Sequence, residues 1–295
     1  SVAGFAWNGW QLSNGIRGRL HLEYAREWYN GYSWRGKEKV YNPFDLLLLF
    51  RTREFKAHWF ETGSPTFLID TLFKRRVRST DLHEMTATDG DLSRFDVGDM
   101  ATKALLFQTG YLTIQDEAPA RAGSRYRLGY PNRGVQQSLN EALLDRFVQE
   151  DNSRLENSTR LERLLEAGDI PGLKTLFRSF FASIPHQWYT NNDIAEYEGY
   201  YASVFYSYFA CLGFDIRLED STSHGRLDMA VRFAGRIYLF EFKVVELEPA
   251  GAALEQLRAR RYADKYRYLG EPIHLVAVEF SKTERNIAAF ESEQA

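Results

Sequence analysis

One cysteine, Cys211, stands in 295 residues. That excludes an intrachain disulfide framework and any cysteine-rich metal centre, and it suits a reducing cytoplasm, the compartment expected for this chain. Cys211 sits among Phe209, Ala210 and Leu212 in a helical pattern, where a small core residue fits. No run of about 18 apolar residues occurs, and Leu46–Phe50 is far too short to span a membrane. Positive charge is not in excess: the net charge is −3. Any surface for nucleic acid must therefore be local. The six histidines are scattered, without the HExxH spacing of a zinc site. The chain opens at Ser1 with no signal-peptide pattern, and Trp7-Asn8-Gly9-Trp10 reads like the middle of a longer polypeptide.

What is present is apolar and aromatic: 44% hydrophobic and 15% aromatic residues, enough for sizeable cores and about two domains. The first half reads mostly as helices: Leu20–Tyr29, a helix capped by Asn42 with Pro43 in its first turn, Glu54–Phe60 and Thr66–Phe73. The Asn42 helix is expected to carry Leu46, Leu47, Leu49 and Phe50 into a core. The basic run Lys74–Arg78 reads as a solvated helix end or a phosphate contact. Met100–Gln108 as a helix, Tyr111–Gln115 and Tyr126–Gly129 as strands, and Gln136–Gln149 as a helix suggest a winged-helix-like unit. The polar run Glu150–Ser153 is the expected hinge, dividing the chain into 1–150 and 151–295. Leu161–Ala167 and Leu173–Ser183 read as the next helices. A longer one, Asn191–Leu212, groups Tyr201, Tyr208, Phe209 and Leu212 within about 60° of Phe205, with Glu198 about 20° away and Glu196 on the opposite side.

The chemistry concentrates between Gly225 and Val245. Leu227–Phe233 and Arg236–Val245 read as two strands joined by the tight turn Ala234-Gly235. Counting back from that turn sets Asp228 opposite Glu241, with Cβ atoms roughly 4.5–5.5 Å apart, and Lys243 on the same face. The second strand is apolar on both faces, the mark of a central strand covered on both sides. Two carboxylates there repel and favour a cation, either a divalent metal held by oxygens or the neighbouring Lys243 alone. Beyond the hairpin, Ala252–Tyr268 reads as one helix bearing Gln256, Arg258, Arg260, Arg261, Tyr262, Lys265 and Arg267. Ile273–Phe280 reads as a strand and Ser281–Phe290 as a closing helix. The fold class expected is α/β (α+β): a mostly helical first half, then a mixed sheet flanked by helices.

Glu198-Gly199-Tyr200-Tyr201, Gly225-Arg226-Leu227-Asp228, Glu241-Phe242-Lys243, Ala253-Leu254-Glu255-Gln256 through Tyr262-Ala263-Asp264-Lys265-Tyr266, and Phe280-Ser281 with Glu284-Arg285 resemble the PD-(D/E)XK nuclease superfamily. More closely, they resemble the nuclease-like domain attached to AAA-ATPase-like bacterial proteins. Trp28-Tyr29-Asn30-Gly31-Tyr32, Val40-Tyr41-Asn42-Pro43-Phe44, His58-Trp59-Phe60-Glu61-Thr62-Gly63-Ser64-Pro65 and Leu106-Phe107-Gln108-Thr109-Gly110-Tyr111-Leu112 resemble the C-terminal part of the ATPase-like region. The resemblance implies a restriction-endonuclease-like sheet and metal-dependent cleavage of phosphodiester bonds, with nucleic acid, in particular DNA, as substrate. It implies one or two Mg²⁺ or Mn²⁺ ions held by Asp228, Glu241 and the Phe242 carbonyl, with Glu198 binding a second metal or a metal-bound water, Lys243 orienting the attacking water or stabilising the developing negative charge, and Gln256 and Tyr262 lining the site. Arg258, Arg260 and Arg261 are either phosphate contacts or an ordinary solvated helix face. No GxxxxGK[ST] loop occurs, so ATP binding is not expected of this chain, and an upstream ATPase segment is an implied partner. The alternative is a nuclease-like fold acting as a non-catalytic binding module of an ATPase-associated machine. Paired carboxylates of a glycosidase fit poorly, because those must flank the scissile bond from two sides.

Overall fold

The computed structural model describes residues 18–34, 38–58, 66–75, 77–93, 101–121, 123–147, 151–184, 198–212 and 214–295. Among them, ten α-helices and three sheets form two compact units, Ser1–Ser64 with Glu84–Ser138 and Pro65–His83 with Leu139–Ala295. Expectations placed on Trp7–Trp10, Trp59–Pro65, Arg76, Met100, Glu150 and 191–197, Glu196 among them, fall outside the described residues. The units interleave along the chain, the second taking in Pro65–His83 as well as the residues from Leu139 on.

In the first unit α1 (Gly18–Tyr29) leads into β1 (Asn30–Tyr32), which pairs antiparallel with β2 (Val40–Tyr41). Asn42 then caps α2 (Pro43–Thr52), its Oδ1 accepting from the Phe44 N–H at 3.0 Å. The buried face of α2 differs from the expected one: Leu48 and Leu49 are buried, whereas Leu47 and Phe50 are exposed. Arg53 closes α2 at φ 62°, a left-handed residue that turns the chain away, and among the described residues Glu54–Ala57 are not helical. α3 (Thr66–Lys74) belongs to the second unit. The first resumes with β3 (Met85–Thr88), α4 (Asp89–Leu92), α5 (Thr102–Gln108), β4 (Thr113–Pro119) and β5 (Ser124–Gly129). The strands order β3-β5-β4, all antiparallel. α6 (Arg133–Phe147) begins in this unit and ends in the next.

The second unit continues with α7 (Asp151–Ala167), which starts inside the expected hinge, then α8 (Ile170–Ser183) and α9 (Glu198–Cys211). Three strands follow: β6 (Asp215–Thr222), β7 (Gly225–Phe233) and β8 (Arg236–Val244). α10 (Ala252–Ala259), β9 (Ile273–Ser281) and β10 (Asn286–Gln294) complete it. The sheet order is β10-β9-β8-β7-β6, mixed because only β8 and β9 run parallel. This is a restriction-endonuclease-like arrangement with helices on both faces of a central strand.

β8 is the two-sided strand that its composition implies. Tyr238, Phe240 and Phe242 turn to the helices: Phe205 of α9 lies 5.3 Å from Phe240 and 5.2 Å from Phe242, with Phe177 of α8 stacked on Phe205 at 3.9 Å. Ile237 and Leu239 turn to a cluster built from Leu254, Leu257, Tyr262 and Tyr266. Burial on both faces removes about 2 kcal/mol worth of apolar exposure per large side chain.

Two expectations fail here, both by tertiary demand. The helix expected through Tyr268 stops at Ala259, followed by 3-10 turns at Tyr262–Lys265 and Arg267–Leu269. In one unbroken helix Tyr266 would stand about 180° from Leu257. Arg261, at φ 48°, turns the chain so that Leu257, Tyr262 and Tyr266 all reach the same core. The closing helix expected at Ser281–Phe290 is instead β10, antiparallel to β9, burying Ile287 and Phe290. Its Glu291 and Glu293 are of the charged kind that guards an edge strand.

The β9–β10 turn is tied by Glu246, just beyond β8, whose carboxylate accepts from the Ser281 hydroxyl and the Lys282 and Thr283 N–H groups at 2.9–3.1 Å. Burial works to raise this carboxyl, but these hydrogen bonds outweigh it and hold it at about 2. A depressed carboxyl contributes stability above its unfolded value and loses it as pH falls. Glu246→Gln therefore lowers the melting temperature at neutral pH, and the gap to wild type closes between about pH 4.5 and pH 2 in a series of thermal melts. At the β7–β8 turn both Ala234 and Gly235 have positive φ, 49° and 72°. Ala234→Asn gives the preferred Asn-Gly turn and raises stability by about 1 kcal/mol in urea unfolding.

Candidate active site

Counted from the turn, Phe233 pairs with Arg236 and the register runs through Met229 opposite Phe240. There the β7–β8 ladder ends, one step short of Asp228 and Glu241. The expected cross-strand pair of acids is not made, because two ladder-opposed carboxylates would repel in a covered sheet. β7 keeps pairing with β6, through Leu227 opposite Asp220, while β8 keeps pairing with β9. The strands part between the two acids. In the gap, Asp228 Oδ2 accepts from the Phe242 N–H at 2.8 Å, a donor aimed at β7 where no ladder partner remains. A strand residue's N–H and C=O point the same way, so the Phe242 carbonyl is directed into the same gap.

Glu241 is 1% exposed. Its Oε1 accepts from Lys243 Nζ at 3.1 Å and, closely, from Gln256 Nε2 of α10. Lys243 is thus the counter-charge that makes the burial tolerable. Gln256 also reaches the Tyr262 hydroxyl at 3.4 Å, and that hydroxyl donates to the Arg226 carbonyl at 2.8 Å. Burial raises the Tyr262 phenol, with Glu241 and Asp228 adding to the rise and Gln256 and Arg260 opposing it, so it stays protonated and remains a donor. Gly225 completes this corner: at φ 155° a side chain would be strained, and a Cβ there would lie 3.1 Å from the Tyr262 hydroxyl.

The structure therefore joins Glu241, Lys243, Gln256 and Tyr262 in one hydrogen-bonded set and Asp228 with the Phe242 N–H in another, the two meeting where β8 runs from Glu241 to Phe242. Glu198 begins α9, the helix packed on the opposite, aromatic face of β8, and its side chain lies outside the described part. Among the described residues no three His, Cys, Asp or Glu side chains converge as a ready cation cage. The donor set that is present, two carboxylates and a main-chain carbonyl, is all oxygen and has the one or two acids that Mg²⁺ uses.

Glu279 escaped the sequence reading. It is 3% exposed and lies beside Lys243 in the parallel register. Its Oε1 accepts from Gly251 N–H at 2.8 Å and Ala253 N–H at 3.4 Å, so it caps the start of the helix that carries Gln256. The signal was an acid between Val278 and Phe280 in an otherwise apolar strand. The basic residues after α10 also read differently in three dimensions. Arg258 pairs with Glu293, Arg261 and Arg267 share Asp264, and Lys265 pairs with Asp220, so most of the row is neutralised.

Residues 196–290 match the family described as the PD-(D/E)XK nuclease superfamily. A curated protein of Azotobacter chroococcum mcd 1, described as "Uncharacterized protein in vnfD 5'region", is 62% identical over 271 residues, covering 92% of this chain. The chain spans about half the length of that relative, 52%. No solved structure matches. With its mixed sheet parted between Asp228 and Glu241-Phe242-Lys243, the segment 196–290 is a PD-(D/E)XK nuclease superfamily domain.

Proposed function

We propose that residues 151–295 form a metal-dependent nuclease that hydrolyses phosphodiester bonds of DNA. The observation that carries this reading is the parting of β7 from β8 between Asp228 and Glu241, which leaves two carboxylates and the Phe242 carbonyl at one gap beside the half-buried Lys243 ammonium. Asp228, Glu241 and the Phe242 carbonyl would hold Mg²⁺ or Mn²⁺, with Glu198 contributing from the start of α9. When bound, the cation lowers the pKa of water and offsets charge on the phosphate under attack.

The chain's own residues do the rest. Phe242 N–H fixes one Asp228 oxygen, and Gln256 fixes one Glu241 oxygen. Tyr262 joins Gln256 to the Arg226 carbonyl, two residues before Asp228, so the hydrogen bonds that hold Glu241 end close in sequence to the other acid. Lys243 is the positive group that meets negative charge developing on the phosphate oxygens as the water oxygen attacks phosphorus and the ester oxygen leaves with a proton.

Residues 1–150 are proposed as the C-terminal part of an AAA-ATPase-like region, supported by the Val40–Phe44 and Leu106–Leu112 segments and by the winged-helix-like unit. An ATPase segment is the matching partner, and the cytoplasm the matching compartment. A second reading, a non-catalytic binding module, is favoured by one observation: Glu241 Oε1 is already engaged by Lys243 and Gln256.

Calorimetric titration of Mg²⁺ and Mn²⁺, with cleavage of plasmid and single-stranded DNA measured on the same samples, separates the two. Asp228→Asn keeps an acceptor for the Phe242 N–H but removes the charge. Metal binding and cleavage by wild type, both lost in this variant by at least about 100-fold, are expected for the nuclease. A wild-type chain that neither binds metal nor cleaves either substrate overturns it in favour of the binding module.

A further inference from the structure

Resting on the nuclease reading, we propose that Arg260 is the side chain that grips a phosphate of the nucleic-acid backbone beside the acidic gap. The gap gathers carboxylates in a chain of net charge −3, so a polyanionic strand needs a local cation to approach it. The basic row offers five candidates, and four of them are taken. Arg258 is held by Glu293 at 2.5 Å, Arg261 and Arg267 by Asp264 at 2.8 and 3.2 Å, and Lys265 by Asp220 at 2.6 Å. On β7, Arg226 is likewise matched by Glu219 at 2.8 Å. Arg260 differs. Its Nη1 donates to the His224 carbonyl at 2.8 Å, a neutral acceptor, and among the described residues no acidic side chain pairs with it.

That one bond fixes the guanidinium without neutralising it. It anchors Arg260 over the β6–β7 turn, where a Cβ on Gly225 would lie 3.4 Å from Arg260 Cδ and 3.1 Å from the Tyr262 hydroxyl. Arg260 and Tyr262 therefore converge on Gly225, three residues before Asp228, and Tyr262 continues through Gln256 to Glu241. A guanidinium has five N–H donors in a rigid fork suited to phosphate, and the His224 carbonyl uses one of them. The arrangement is a cation oriented in advance on the same hydrogen-bonded corner that orders the acids.

The test is binding of a fluorescein-labelled 20-base-pair DNA duplex by the full chain, read by anisotropy in EDTA over a series of salt concentrations. The metal site then plays no part in the readout. Arg260→Gln should weaken binding about tenfold, and the slope of log K against log salt should become shallower by about 0.9, one phosphate contact. Arg260→Lys should keep the wild-type slope. Arg232→Gln, which removes a guanidinium already held by Glu271, should change neither quantity. Thermal melts of the variants check that each is folded. Equal slopes for wild type and Arg260→Gln overturn the assignment of Arg260, even if affinity falls, because a purely structural role weakens binding without removing a counterion. Wild-type cleavage of DNA together with an unchanged Arg260→Gln overturns this assignment alone. A wild type that neither binds nor cleaves DNA overturns the nuclease reading and this one together.

Discussion

A carboxylate inside a covered sheet is the constraint around which the second unit is arranged. Placing Glu241 at 1% exposure on the central strand strips it of water, at a cost of several kcal/mol that only close partners offset. Lys243 supplies the charge and Gln256 the hydrogen bond, and each brings an element with it. Lys243 comes from the same strand two residues on. Gln256 needs α10 laid across that face of the sheet, and α10 needs Glu279 at its N-terminus. The hydrophobic cluster of Leu254, Leu257, Tyr262 and Tyr266 then does double duty, filling the core and holding the Gln256 amide in place.

The same constraint explains why β7 and β8 separate where they do. Continuing the ladder one more step would set Asp228 directly against Glu241. The chain instead gives Asp228 a main-chain donor, Phe242 N–H, and passes β7 to β6. The resulting wedge lies between both acids and one carbonyl, an all-oxygen set. Arg260 and Tyr262 lie against Gly225, three residues before Asp228.

Much of this was readable before the structure. The turn at Ala234-Gly235 fixed the register, and alternation on Arg236–Val244 marked a strand buried on both faces, because both signals are local. Asn42 and Pro43 announced a helix start for the same reason. Reading failed where distant partners decide. The helix after Gln256 is broken at Arg261 because Tyr262 and Tyr266 must return to a core assembled from other strands. The Asn286–Gln294 segment has helical composition but pairs with β9, and β6 left no clear trace because an edge strand with Arg217, Glu219 and Asp220 looks like a surface loop. At the site, the residue types were legible and the departure from the ladder was not. Register counting assumes that pairing continues, and electrostatic repulsion ends it.

The parallel pairing of β8 with β9 carries a further consequence. Lys243 stands beside Glu279, so the strand that bears the acids and the strand that fastens α10 are locked in one phase. A slip of one residue would turn Glu279 into the aromatic layer beneath Phe242 and release α10, and the Gln256 amide with it. The cost of an unmatched buried acid would fall on the same molecule that had lost its site. Misaligned chains are thus the unstable ones, and the sheet proofreads its own assembly: a chain stable enough to persist is one whose acids are already in position.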